Sequence, residues 1–479
     1  MHTADSIGFV NRHRELAFLA AQALPSKPAL VVLYGRRRTG KTALLRTFAA
    51  QRRAVLFVAD VATRADQLAA FSREVFGALG EDALVGTAFP TWEAALRFVA
   101  DRARTHPLLV VLDEFSYLCE SDGSLPSVIQ RLWDKDFRGT ALHLVLCGSH
   151  VSFMERELLG SRNPLFGRRT GDWCLEPLRF ADARAFFPTH SVDAQVELFA
   201  VLGGIPAYLE RFDAARTLAD NVVEEILTRG RPLYDEPRFL LLQEVRDPHT
   251  YFSICRAIAT GRTTPNEIAQ GAGLSDRGAG SRYLQTLRDL RIVERRVPAT
   301  ERNPERTRRG HYRLADPFLR FWFRFVLSEL STLEGGGDPR TVYEQRIAPH
   351  LDDCVAMAFE EVCVQHLQDL NAVGALDVRY DRIGGWWGPH AEVDVLGCTD
   401  AGDVLLGECK WSRRAVGTDV LDALVARTRA IARDLGHAPR SVAYALWSRC
   451  GYTAGLRARA AKEGVRLFGP ADLAARQRG

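Results

Sequence analysis

Residues Val31–Thr42 read VVLYGRRRTGKT, four residues of strand character running directly into Gly35-x-x-x-x-Gly40-Lys41-Thr42. A loop bounded by glycines can turn its backbone N–H groups inward around phosphates. The lysine then reaches the β and γ oxygens, and the next hydroxyl offers a ligand to Mg²⁺. Gly35, Thr39, Gly40, Lys41 and Thr42 are therefore the expected ATP-binding set, with Thr42 also on the metal. The segment 43–51 (ALLRTFAAQ) reads as a helix whose positive end faces the same anion. Strand before and helix after make a chance match the weaker reading.

Similar apolar runs follow at 54–60 (AVLFVAD), 107–114 (PLLVVLDE) and 141–147 (ALHLVLC), with helical periodicity at 67–79 and 92–104. This alternation predicts an α/β fold built on a parallel sheet. The run at 107–114 ends in two acids, as a buried strand does where its carboxyl edge meets a nucleotide. Asp113 is expected to hold Mg²⁺ and Glu114 to polarise the attacking water. The run at 141–147 ends in Gly148-Ser149-His150. Ser149 there is a candidate contact to the γ-phosphate or the water, against a plain strand-ending turn. Arg168 and Arg169, in NPLFGRRTGDW (163–173), read either as a solvated charge pair or as cations reaching a nucleotide. If that nucleotide is a neighbouring chain's, the protein is a homo-oligomer.

Length and composition bound the rest. The 479 residues suffice for about three domains. With 47% hydrophobic and 25% charged residues the chain has the balance of an ordinary globular protein, not a disordered or fibrous one. Sixty-three basic against 59 acidic residues give a net charge of only +4, so a nucleic-acid surface has to be local. Nine cysteines form no CxxC pair, and several lie in apolar runs, which implies small buried hydrophobes in a reducing compartment. No apolar window approaches a membrane span and the N-terminal residues carry no secretory pattern, so the expected location is cytoplasmic, without membrane contact.

Seven segments, FVNRHREL, GRRRTGKT, VVLDE, CGSHVSFME, PLFGRRT, LEPLRF and GGIPAYL (203–209), occur in that order. The set resembles the archaeal-type ATPase family, a branch of the AAA+/STAND P-loop NTPases, over roughly the first half of the chain. The resemblance implies an ATPase core followed by a helical lid, with GGIPAYL similar to the lid's Gly-Gly-x-Pro signature. Taken without the family, 8–16 is only a capped amphipathic helix.

Residues 246–315 change character. TTPNEIAQGAGLSDRGAGSRYLQTLRDLRIV has helix-turn-helix spacing, with a recognition helix beginning near Ser275 and a two-stranded wing over 292–314. The wing's arginine excess, including Arg306, Arg308 and Arg309, suits DNA phosphates, although such modules also dock proteins. Residues 312–326 (YRLADPFLRFWFRFV) read as core, and 334–338 (EGGGD) as a linker.

The last third carries a second constellation, AEVDVLG (391–397) and VLLGECKW (404–411). Strand alternation places Glu408 and Lys410 on one face, and a hairpin brings Asp394 beside them. Two carboxylates and a lysine at one sheet edge can bind Mg²⁺ or Mn²⁺ and activate water for phosphodiester cleavage, and an upstream helix offers Glu360 and Glu361, one of which, Glu360 by preference, completes the metal site. A strand salt bridge between Glu408 and Lys410 is the plainer alternative. The pattern is similar to the PD-(D/E)XK nuclease family, with Val393 where that family has proline. DRIGGWWGPHAEVDVLG and GECKWS also resemble the C-terminal domain of unknown function 234, which in its family accompanies this ATPase.

The expected organisation is an ATPase core (1–180), a helical lid (181–245), a winged helix-turn-helix (246–333) and an α/β restriction-endonuclease-like domain (340–479). The expected function is ATP hydrolysis coupled to DNA, with metal-dependent cleavage. The alternative is a nucleotide-gated regulator whose last domain only binds DNA or a protein.

Overall fold

In the computed structural model, which describes residues 9–24, 27–161, 163–274 and 277–474, all of β1 (Ala29–Tyr34) is buried. Its side chains alternate between two apolar clusters. Leu30, Val32 and Tyr34 join Phe71 and Trp92 on one side, while Val31 and Leu33 join Leu44 and Phe48 on the other. Burial on both faces is why these strands read as continuous apolar runs.

Strands β2 (Ala54–Val58), β3 (Leu108–Asp113), β4 (Leu142–Gly148) and β5 (Gly171–Cys174) complete a five-stranded sheet in the order β2-β3-β4-β1-β5. Every pairing is parallel. β5 begins within 163–173, where no strand was expected. Of its four residues, GDWC, three are partly buried and Asp172 is exposed, so no apolar run reveals it. The phosphate loop leaves the carboxyl end of β1 and enters the helix Lys41–Ala49, where an open α/β sheet forms its ligand crevice.

The chain divides into two units. The first runs to Pro177 and adds Ile205–Ala207 and Asp289–Arg291, and the second comprises Leu178–Gly204, Tyr208–Arg288 and the chain from Ile292 onward. The helices Pro248–Ala259, Pro265–Gly271 and Arg277–Asp289 precede an antiparallel pair, β6 (Val293–Arg296) with β7 (His311–Leu314). Thr264 and Glu267 close a reciprocal capping box on the second of these helices. Ser275, the expected start of a recognition helix, lies outside the described residues. Phe318, Phe321 and Trp322 are fully buried, as expected of core. Residues 335–338 form a turn between helices within the second unit and do not join the two units.

The C-terminal sheet has the order β12-β11-β10-β9-β8, from β8 (Arg382–Trp387), β9 (Glu392–Cys398), β10 (Asp403–Lys410), β11 (Ser441–Ser448) and β12 (Arg466–Phe468). β8, β9 and β10 are antiparallel, whereas β10, β11 and β12 are parallel. The helix Thr418–Leu435 covers one face through Leu421, Leu424 and Ile431. The helix Leu351–Ala372 packs against β8, β9 and β10. Among the described residues no helix is long and apolar enough to cross a membrane.

Candidate active sites

The phosphate loop is shaped by two glycines. Gly35 has φ 154°, and a Cβ there would overlap the Leu175 carbonyl, while Gly40 has φ 91° and caps the helix Lys41–Ala49. Lys41 is buried and its Nζ donates to the Gly35 and Arg36 carbonyls, both at 2.9 Å. Burial holds its pKa below the ordinary lysine value, although Cys147, Glu114 and Asp113 act in the opposite sense. The Thr39 hydroxyl donates to the Arg36 carbonyl at 2.8 Å and braces the loop from within.

Parallel pairing brings the other expected residues to the same sheet edge. Thr42 Oγ1 donates to Asp113 Oδ2 at 2.6 Å, and Asp113 is itself buried at the tip of β3. Glu114 follows in the left-handed region at φ 53°, which costs a residue with a Cβ on the order of 1 kcal/mol. That turn directs its carboxylate toward the tip of β4, where Glu114 Oε2 accepts from the Ser149 hydroxyl at 2.7 Å and the Ser149 amide at 3.2 Å.

Two contributors escaped the sequence reading. Arg12 is buried at φ 66°, donates to the Thr39 carbonyl at 3.0 Å and pairs with Glu15, so the segment read as a simple capped helix braces the phosphate loop. Its helix has no side-chain cap bond at Arg12, and a poor N-cap residue at that position was the available signal. Pro206 of GGIPAYL belongs to the first unit, 3.8 Å from where a Gly40 Cβ would stand.

Arg168 and Arg169 are engaged locally. Arg168 is held bidentately by Asp134 (3.0 and 2.9 Å) and by the Pro164 carbonyl, and Arg169 by Asp172 (2.9 Å) and the Leu159 carbonyl. Among the described residues neither is assigned a bond to the phosphate loop.

In the second unit, β10 alternation places Lys410 Nζ 2.7 Å from Glu408 Oε1. Arg427, from the helix Thr418–Leu435, donates to Glu408 Oε2, so each oxygen of this buried carboxylate faces a cation. Asp394 Oδ2 accepts from the Cys409 amide at 2.8 Å, beside Glu408. Burial and then the Glu408 charge push Asp394 up to about 6, and burial and then Asp394 push Glu360 up to about 8. Burial opposes the charge on Lys410, but its bond to Glu408 wins and holds it above the ordinary lysine value.

Glu360, Asp394 and Glu408 were expected to form one metal shell, yet among the described residues no group of three or more His, Cys, Asp or Glu side chains is gathered to hold a metal ion. Asp394 and Glu408 supply oxygen donors suited to a hard divalent cation. Arg427 already neutralises one of those oxygens, and Glu360 joins them through charge only. The neighbouring Glu361 has a different role: burial raises its pKa, but the Arg313 and Arg320 guanidiniums prevail and hold it at about 2.

Arg306 and Arg308 are exposed, whereas Arg309 is tied to Glu301, Asp434 and the Trp387 carbonyl.

Residues 9–212 match the family described as an ATPase domain predominantly from Archaea, and residues 322–420 match one described as archaeal and bacterial proteins of unknown function. An uncharacterized protein of Methanocaldococcus jannaschii is 30% identical over 405 residues, which is 84% of this chain and 87% of that one. An uncharacterized ATP-binding protein of the same organism is 52% identical over 40 residues, 8% of this chain and 68% of that protein. The Walker-type ATPase of Pyrococcus abyssi superposes with a TM-score of 0.51 at 20% identity, covering 66% of this chain and 96% of that chain, a likeness of fold.

Proposed function

Because the chain belongs to the ATPase family found predominantly in archaea, we propose that its P-loop ATPase unit drives action on DNA by the second unit, including phosphodiester cleavage at Asp394, Glu408 and Lys410. The observation that carries the cleavage reading is the adjacency of the half-buried Asp394, the buried Glu408 and the Lys410 ammonium across β9 and β10.

In the first unit the loop amides and Lys41 bind the phosphates, Lys41 exchanging its two carbonyl partners for phosphate oxygens. Thr42 and Asp113, already 2.6 Å apart, fit Mg²⁺, which when bound offsets charge on the β- and γ-phosphates. Glu114 leaves Ser149 to orient and deprotonate the attacking water, and Ser149 is then free to donate to the γ-phosphate. Arg168 or Arg169, released from its acid, serves as the charge finger on a neighbouring chain's nucleotide.

In the second unit Asp394 and Glu408 would hold a divalent cation, which supplies Lewis acidity toward the scissile phosphate. Glu408 must first release Arg427. Lys410 stays protonated beside Glu408, which makes it a cation for the phosphate and a positioner of water rather than a base. The three helices before β6 and the exposed Arg306 and Arg308 serve as a winged-helix DNA contact.

The double engagement of Glu408 by Lys410 and Arg427 favours a second reading, a nucleotide-gated regulator whose last domain grips DNA without cutting it. Incubating plasmid and single-stranded DNA with Mg²⁺ or Mn²⁺, with and without ATP, separates the two. Cleavage lost in Asp394→Asn supports the first, and binding without cleavage in every nucleotide state supports the second.

A further inference from the structure

A cavity of about 450 Å³ lies within the second unit, walled by β6 and β7, the helix Leu351–Ala372, and β8 and β9. Asp394 and Glu360 line it, and so do Arg296, Arg313 and Arg320. Arg313 and Arg320 share the carboxylate of Glu361, and Arg313 also pairs with Glu294, so these two cations are balanced and Arg296 is the one in excess. Arg296 is half-buried, and among the described residues its guanidinium has no hydrogen-bond or ion-pair partner, Glu361, Glu294 and Glu360 reaching it through charge alone. Holding an unpaired guanidinium out of water costs stability, so its retention calls for an anion that completes it.

The same cavity presents an aromatic surface. The His311 and Trp387 rings stack at 4.8 Å and 15°, and the Trp387 indole is fixed by donating to the Arg309 carbonyl at 3.2 Å. A flat stack next to an unpaired guanidinium is the chemistry that receives a base and its phosphate. The volume sets the size of the guest. It falls within the ~300–1,000 Å³ of small-ligand sites, and a cube of 450 Å³ has an edge of about 7.7 Å, too narrow for a base-paired duplex.

We propose that this cavity receives one nucleotide unit of a single DNA strand, its phosphate on Arg296 and its base extending the His311–Trp387 stack, with Asp394 at the backbone. The proposal rests on the DNA-acting reading above and narrows its substrate to a single-stranded or extruded nucleotide. Free nucleotides share this chemistry, and the test distinguishes the two sources.

The full-length chain is used in a Lys41→Ala background, which removes competition from the phosphate loop, and in EDTA, so that binding is read without cleavage. Anisotropy of a fluorescein-labelled oligothymidylate is compared for the parent, Arg296→Met and Trp387→Leu. Arg296→Met is expected to weaken binding by about tenfold or more while leaving the melting temperature equal or higher, because it removes a half-buried charge that no hydrogen bond or ion pair holds. A purely structural arginine would instead lower the melting temperature. Trp387→Leu reports independently should the first variant not fold.

Competition by thymidine 5′-monophosphate identifies the source. Displacement at the oligonucleotide's own affinity assigns the cavity to free nucleotides, and much weaker displacement assigns it to a strand. Unchanged oligonucleotide binding in both variants overturns the proposal, as does blunt duplex binding that matches the single strand and shows the same dependence on Arg296. Since no metal is present, failure of the cleavage reading leaves this result intact, and cleavage that persists alongside unaltered binding refutes the cavity alone.

Discussion

The Ser149 hydroxyl donates to Glu114 Oε2 across 2.7 Å, and the Ser149 amide reaches the same oxygen at 3.2 Å. The acid assigned to water activation is thus held by the neighbouring strand tip. Glu114→Gln is expected to lower kcat by about 100-fold or more with Mg-ATP affinity nearly unchanged, since it removes the base and keeps the shape. Ser149→Ala removes the hydroxyl proposed to donate to the γ-phosphate and is expected to lower kcat. A rise instead would leave Ser149 only as a restraint on Glu114, and wild-type turnover in Glu114→Gln would remove Glu114 from the mechanism.

Lys41→Ala is expected to raise the Kd for Mg-ATP by about 100-fold, the worth of a buried charge-assisted contact. Arg12→Ala is expected to weaken binding less but to lower the melting temperature as well, because Arg12 braces the loop through Thr39 and touches no phosphate. Titration calorimetry and thermal melts on the two variants separate contact from support.

Arg168 and Arg169 are anchored to Asp134 and Asp172, and those acids are partly exposed. Exposed pairs of this kind are weak, so release toward a neighbour's nucleotide costs little. ATPase rate per chain is expected to rise with protein concentration, and the double substitution Arg168→Ala, Arg169→Ala to abolish the rise. A rate independent of concentration, with normal activity in the double variant, would leave the pair as surface anchors.

Asp394→Asn and Lys410→Ala are each expected to abolish DNA cleavage while leaving ATP turnover within about twofold, since the two sites occupy separate units. Arg427→Ala is expected to increase the apparent affinity for Mn²⁺ by freeing Glu408 Oε2. Metal titrations of cleavage check both, and an unchanged Mn²⁺ dependence in Arg427→Ala would show that Glu408 is not a ligand.

Acid sensitivity should originate partly at His143. It is buried on β4 against Phe48, neither ring nitrogen has a partner among the described residues, and burial followed by the Arg52 charge lowers its pKa from 6.5 to about 4. The folded pKa lies below the unfolded one, so the unfolded chain takes up the proton first. The stability is complete above pH 6.5 and is lost as pH falls toward 4, by on the order of 3 kcal/mol. His143→Leu is expected to flatten the pH dependence of the melting temperature over that window, and an unaltered curve would place the acid lability elsewhere.

The twelve residues 31–42 determined the nucleotide half almost alone, because a phosphate loop is a local device whose strand, glycines, lysine and hydroxyl are contiguous. Runs of apolar residues announced β1 to β4 for a related reason: a strand covered on both faces has no polar side to hide its pattern. β5 was illegible because four residues, none of them buried, have no pattern of their own and exist as a strand only through pairing with β1. In the last domain, spacing alone put Glu408 and Lys410 on one face, since alternation is intrinsic to a strand. Tertiary structure alone brought Arg427 to Glu408 from a helix 19 residues away, spent Arg309 on Asp434, and left Arg296 unpaired in a cavity beside Asp394. Charge partners are chosen by how helices and sheets pack, and that information is spread over residues far apart in the chain.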